Sequence, residues 1–110
     1  MSKLDLNVKK QLHNAKYGIG VKNGTDALLI CLKALNIQSG DEVITTSHTA
    51  LATISAIISV GATPVIIDIE KDFYTLDPKM IEKYISKKTK AILPVHIYGQ
   101  CCDMQKIVKI

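Results

Sequence analysis

The sequence predicts an α/β fold, a partial parallel or mixed sheet with helices on both faces, and three observations carry that prediction. Short β-branched runs alternate with helical stretches from residue 17 onward. Two of the runs, Thr63 to Ile69 and Lys90 to Val95, lack polar alternation, which suits strands covered on both faces. The connections between runs are short, as in strand–helix–strand units.

Tyr17 to Val21 is a short apolar run ending at the turn signal Lys22-Asn23-Gly24, and it reads as the first strand. Ala27, Leu28, Ile30, Cys31, Ala34 and Leu35 then recur at helical spacing. Ser39-Gly40-Asp41 breaks that helix, and Glu42 to Thr45 reads as a strand. Thr49 to Val60 is a helix apolar nearly all round, stopped by Gly61, and such a helix expects cover on several sides. Thr63 to Ile69 is the clearest strand. Asp77-Pro78 opens the next helix, with Asp as cap and Pro at the first helical position. Lys90 to Val95 is a further strand, and Asp103 caps a final helix that carries Ile107, Val108 and Ile110. That last apolar stretch, barely two turns long, reads as a truncated element.

Composition bounds the function. At 110 residues the chain holds one domain at most, and 47% apolar residues suffice for a packed core. The net charge of +4 comes from 14 lysines and no arginine, scattered along the chain. With five Tyr and Phe residues and no Trp, neither a basic stripe nor a stacking platform for nucleic acid is present. Cys31, Cys101 and Cys102 show no metal-ligand spacing and no disulfide framework. The polar start MSKLDLNVKK has no signal region, and the longest apolar stretch, Ala50 to Gly61, is too short to span a bilayer. No membrane partner is expected, and the location is expected to be cytoplasmic.

Asn23-Gly-Thr-Asp-Ala-Leu28 lies between a strand and a helix. Gly24 is expected to let the backbone turn tightly, and the first N–H groups of the helix, with its dipole, suit a phosphate. The Thr25 hydroxyl adds a side-chain donor, whereas the Asp26 carboxylate repels an anion unless it turns away. The plain alternative is an Asn-Gly turn followed by a Thr or Asp cap, with no ligand. Gly18, Gly20 and Gly24 follow G-x-G-x-x-x-G, which is not the dinucleotide spacing, and the first two fall inside the expected strand. Open α/β sheets bind ligands at the carboxyl ends of their strands. The polar groups there are Ser47, His48, Asp68, His96 and Tyr98, each with a bland alternative as a loop or edge residue. A Cys101 or Cys102 nucleophile with His96 lacks an orienting partner.

The segments GVKNGTDALLICLKAL, GDEVITTSHTALATISAI, GATPVIIDI and TKAILPVHIYGQ, in this order and register, resemble the DegT/DnrJ/EryC1/StrS aminotransferases. The resemblance runs from about Tyr17 to the end. It implies the large domain of the aspartate-aminotransferase fold over residues 17–110, incomplete at its C-terminus, after an atypical N-terminal segment of residues 1–16. A complete member is roughly three times longer. The resemblance implies pyridoxal 5′-phosphate as cofactor and transfer of an amino group from glutamate to a nucleotide-linked keto-sugar, for polysaccharide or lipopolysaccharide biosynthesis. It also implies a homodimer. Gly24, Thr25 and the backbone N–H groups near Thr25 and Asp26 would hold the cofactor phosphate. Ala50 stands where members carry an aromatic residue against the pyridine ring, and His48 would partly substitute. The Schiff-base lysine and the aspartate on the ring nitrogen would follow Ile110, so these residues alone are expected to be inactive. The alternatives are a Rossmann-type nucleotide-sugar dehydrogenase or epimerase and a non-catalytic remnant.

Overall fold

The computed structural model describes residues 14–110, so the expected atypical segment lies outside the described residues except for 14–16. The chain order is α1 (Gly24–Ala34), β1 (Glu42–Thr46), α2 (Leu51–Ser59), β2 (Thr63–Ile67), α3 (Pro78–Tyr84), β3 (Thr89–Leu93), a 3-10 turn (Ile97–Gly99) and α4 (Met104–Ile107). The three strands form a parallel sheet in the order β2-β1-β3, with Glu42 opposite Thr63 and Thr46 opposite Ile67.

Local chemistry sets each boundary. Asn23 is extended, and its side chain caps α1. α1 then ends on a pair of reversed bonds: Asn36 N–H donates to the Lys33 carbonyl and Ile37 N–H to the Leu32 carbonyl, with Asn36 at φ +56. The left-handed residue supplies partners for carbonyls the helix leaves free, and Asn tolerates that conformation better than most residues. α2 ends the same way, with Gly61 at φ +83 and Ala62 N–H donating to the Ile57 carbonyl. In both cases the next side chain, Ile37 or Ala62, turns into the core. Asp77 accepts from Lys79 N–H at 2.9 Å and Asp103 from Lys106 N–H at 3.1 Å, so both expected caps form.

β1 is the central strand, and its alternation feeds two cores. Val43 joins Leu32, Ile37, Ala56, Ile57 and Ala62 on the face covered by α1 and α2. Ile44 joins Ile67, Leu76, Ile81, Cys102 and Ile107 on the face covered by α3 and α4. Each Val, Leu or Ile side chain among them contributes about 1.5–3 kcal/mol when fully buried. Helices therefore cover both faces, as expected.

Three expectations change. Tyr17 to Val21 is not a strand: Tyr17 and Ile19 are exposed, and no described strand pairs with them. Apolar alternation alone cannot make a strand without a neighbour to accept its ladder. The Thr63 to Ile69 run is covered less than its sequence suggests, because β2 is an edge strand and Ile66 is half exposed. α2 is covered on one side only among the described residues, with Thr53, Ala56 and Ile57 buried while Leu51 and Ile58 face outward.

Candidate functional site

α1 shares a core with β1, through Leu28, Leu32 and Val43, and its C-terminus leads through a seven-residue turn to the start of that strand. The helix therefore runs back along the sheet, and its N-terminus lies toward the carboxyl edge of the strands. Asn23 Oδ1 accepts from Asp26 N–H at 2.8 Å, and the Asn23 carbonyl accepts from Ala27 N–H at 3.1 Å. The amides of Gly24 and Thr25 have no partner among the described residues, as the geometry of a helix start dictates. One amide of the expected set is thus already engaged. The Asp26 N–H serves the cap, and Gly24 with Thr25 supply the free donors.

Gly24 also plays a different part from the one expected. Its φ is not left-handed, so the turn does not require glycine; a Cβ built there meets nothing within 4 Å. Gly24 and Thr25 are both exposed residues, so the Thr25 hydroxyl stands at the surface beside these amides. Two aligned donors, a hydroxyl and the positive end of an 11-residue helix suit a dianionic phosphate.

The same sheet edge gathers part of the expected polar set. His48, two residues beyond β1, and Tyr98, in the turn after β3, meet with His48 Nε2 2.9 Å from the Tyr98 hydroxyl. Their rings are tilted at 56° with centroids 5.6 Å apart. Tyr98 holds φ +53 and ψ +24, a left-handed conformation that costs an aromatic residue about 1–3 kcal/mol. Its side chain is 81% exposed, so core packing does not offset that cost.

The remaining candidates do structural work. His96 Nδ1 accepts from Cys102 N–H at 3.1 Å, and the buried Cys102 thiol donates to the Val95 carbonyl at 3.1 Å. Asp68 accepts from the adjacent Ile69 N–H, which organises the loop after β2. Ser47 N–H continues the pairing by donating to the Ile67 carbonyl. Ala50 is the exposed cap residue of α2 and makes no side-chain bond. An open hollow lies elsewhere, between the Ile69–Lys79 loop and the Gln100–Lys106 segment. Its lining mixes Glu70, Asp72, Asp77 and Asp103 with Lys71, Lys79 and Lys106, so it favours no one ligand charge. Sequence reasoning marked His48 and Tyr98 separately but not their contact, since fifty residues separate them. It also passed over Asn23 as a cap, although Asn before a helical run is a recognised start signal.

Comparison with known proteins bears on this edge. The model of the DegT/DnrJ/EryC1/StrS aminotransferase family matches residues 4–110. The dTDP-3-amino-3,6-dideoxy-alpha-D-galactopyranose transaminase of Aneurinibacillus thermoaerophilus is 52% identical over 93 residues, covering 84% of this chain and 26% of that protein. The UDP-2-acetamido-2-deoxy-3-oxo-D-glucuronate aminotransferase of Pseudomonas aeruginosa is 50% identical over 93 residues, with 84% and 26% covered. Among solved structures, NtdA from Bacillus subtilis with bound cofactor PMP aligns with a TM-score of 0.95 at 38% identity, covering 97% of this chain and 25% of that one. The chain spans about a quarter of the length of the curated relatives it matches.

Proposed function

This chain belongs to the DegT/DnrJ/EryC1/StrS aminotransferase family, and from that premise we propose that it provides the cofactor-phosphate anchorage of a pyridoxal-phosphate-dependent aminotransferase acting on a nucleotide-linked keto-sugar. The observation that carries this reading is the pair of exposed amides at Gly24 and Thr25 that have no partner among the described residues. Relatives named for amination of dTDP- and UDP-linked sugars support the substrate class, and the PMP-bound NtdA supports the cofactor. Family membership also weighs against the dinucleotide-binding alternative, as does the lack, among the described residues, of any strand leading into α1.

When bound, the cofactor supplies the electron sink for amino transfer. This chain's residues bind and orient it. The Gly24 and Thr25 amides and the Thr25 hydroxyl donate to the phosphate, while His48 and the small Ala50 border the approach of the ring. Asp26 contributes helix capping in place of a phosphate donor. Glutamate as amino donor and a homodimeric assembly in the cytoplasm complete the proposal. No lysine of this chain is assigned the covalent role toward the cofactor.

The test is a calorimetric titration of pyridoxal phosphate into the chain and into its Thr25→Ala variant, repeated with inorganic phosphate. The loss of one hydrogen bond to a charged group predicts binding weakened roughly ten-fold for both ligands. Equal affinity of the variant and the parent chain would remove the phosphate assignment.

A further inference from the structure

We propose that Tyr98 is a positioning residue: its phenol donates to His48 Nε2 and holds the imidazole in one tautomer and one tilt, as the flat group met by the ring of a phosphate-anchored pyridine aldehyde. Two hydrogen bonds from side chain to side chain join residues far apart in sequence among the described residues. One, from Ser86 Oγ to Glu42 Oε2 at 2.6 Å, ties the ends where β1 and β3 begin. The other, between Tyr98 and His48 at 2.9 Å, spans the carboxyl ends of the same two strands, where parallel sheets bind ligands.

The conformation of Tyr98 is the second observation. A bulky aromatic residue in the left-handed region is retained only where its surroundings demand it, and such residues concentrate at functional sites. Here the ring is exposed, and the hydrogen bond to His48 is the side-chain bond the structure gives it. Gly99, at φ +76, extends the same reversed turn. The strain thus serves the placement of one hydroxyl against one imidazole. Among the described residues His48 is the histidine left for this task, because His96 is committed to the Cys102 amide. His48 N–H in turn donates to Thr46 Oγ1 at 3.3 Å, which fixes the backbone from which the ring projects. With the phenol donating to Nε2, as proposed, the proton of the neutral imidazole resides on Nδ1.

The ligand half of the inference rests on the phosphate reading, whereas the His48–Tyr98 pairing does not. Two variants test both halves. Tyr98→Phe keeps the ring and removes the hydroxyl. Tyr98→Asn also removes it and tolerates the left-handed backbone better, so it folds at least as stably as the parent. Ring ¹⁵N spectra of His48 in the free chain are expected to show the Nδ1–H form, lost in both variants. Both are expected to bind pyridoxal phosphate about five-fold more weakly, the loss of one neutral hydrogen bond, with a diminished induced circular dichroism band and unchanged affinity for inorganic phosphate. An unaltered His48 ring spectrum in both variants would overturn the pairing. A changed spectrum with unchanged pyridoxal phosphate binding would overturn the ligand role. If the parent chain bound neither ligand, the phosphate reading and this ligand role would fall together, and the ring spectrum would still decide the pairing.

Discussion

Glu70 shows how a single exposed carboxylate can organise a loop. Desolvation pushes its carboxyl up, but N–H groups of Asp72, Phe73 and Thr75 outweigh that effect and hold it below its ordinary value of 4.5. Two of these bonds are seen directly, from Asp72 N–H at 2.8 Å and from Phe73 N–H at 2.6 Å. A carboxyl lowered on folding adds stability that is present above its unfolded pKa and lost as the pH falls through the lowered folded value. The loop of residues 70–75 should therefore hold together at neutral pH and loosen in acid below about 4.5. A pH titration of the Asp72 and Phe73 amide shifts should show that transition, and Glu70→Gln should abolish it. At the same scale, Asn23 and Thr25 divide the start of α1 between them. One satisfies the cap, and the other stands beside amides without a partner among the described residues.

Elements differ in how much of them the sequence discloses. The caps of α3 and α4 were legible because Asp77-Pro78 and Asp103 act on their nearest neighbours in sequence. Gly61 as a helix stop was equally legible, since few residues but glycine occupy φ +83 without strain. Its role gives a sharp expectation. Gly61→Ala places a methyl 3.4 Å from the Ser39 backbone nitrogen and forces a left-handed alanine, so it should cost about 1–2 kcal/mol in denaturant unfolding. The strand status of Tyr17 to Val21 and the burial of β2 were not legible. Both depend on which strand lies alongside, and residue type does not carry that information. The site divides along the same line. The helix start could be read from Asn23-Gly-Thr, but the meeting of His48 with Tyr98 depends on β1 and β3 being neighbours, which only the sheet order 2-1-3 supplies.

The whole molecule is a three-strand sheet with both edges open among the described residues and apolar groups on its outer surfaces. Leu35, Leu51, Ile58 and Ile66 are all about half exposed or more. Such edges and faces invite association, and a charge placed on an edge strand opposes it. Sedimentation at rising concentration should reveal self-association of this chain, and Ile66→Lys should shift it toward monomer. The empty volume above Gly24 carries a further consequence. Nothing among the described residues would obstruct a methyl there, and alanine narrows the unfolded ensemble, so Gly24→Ala should raise stability by about 0.5 kcal/mol. On the proposed phosphate reading, the same methyl would crowd an anion held by the adjoining amides. Selection for heat resistance would therefore accept alanine at this position, while selection for keeping the ligand would purge it, and the two pressures would contend over one hydrogen atom.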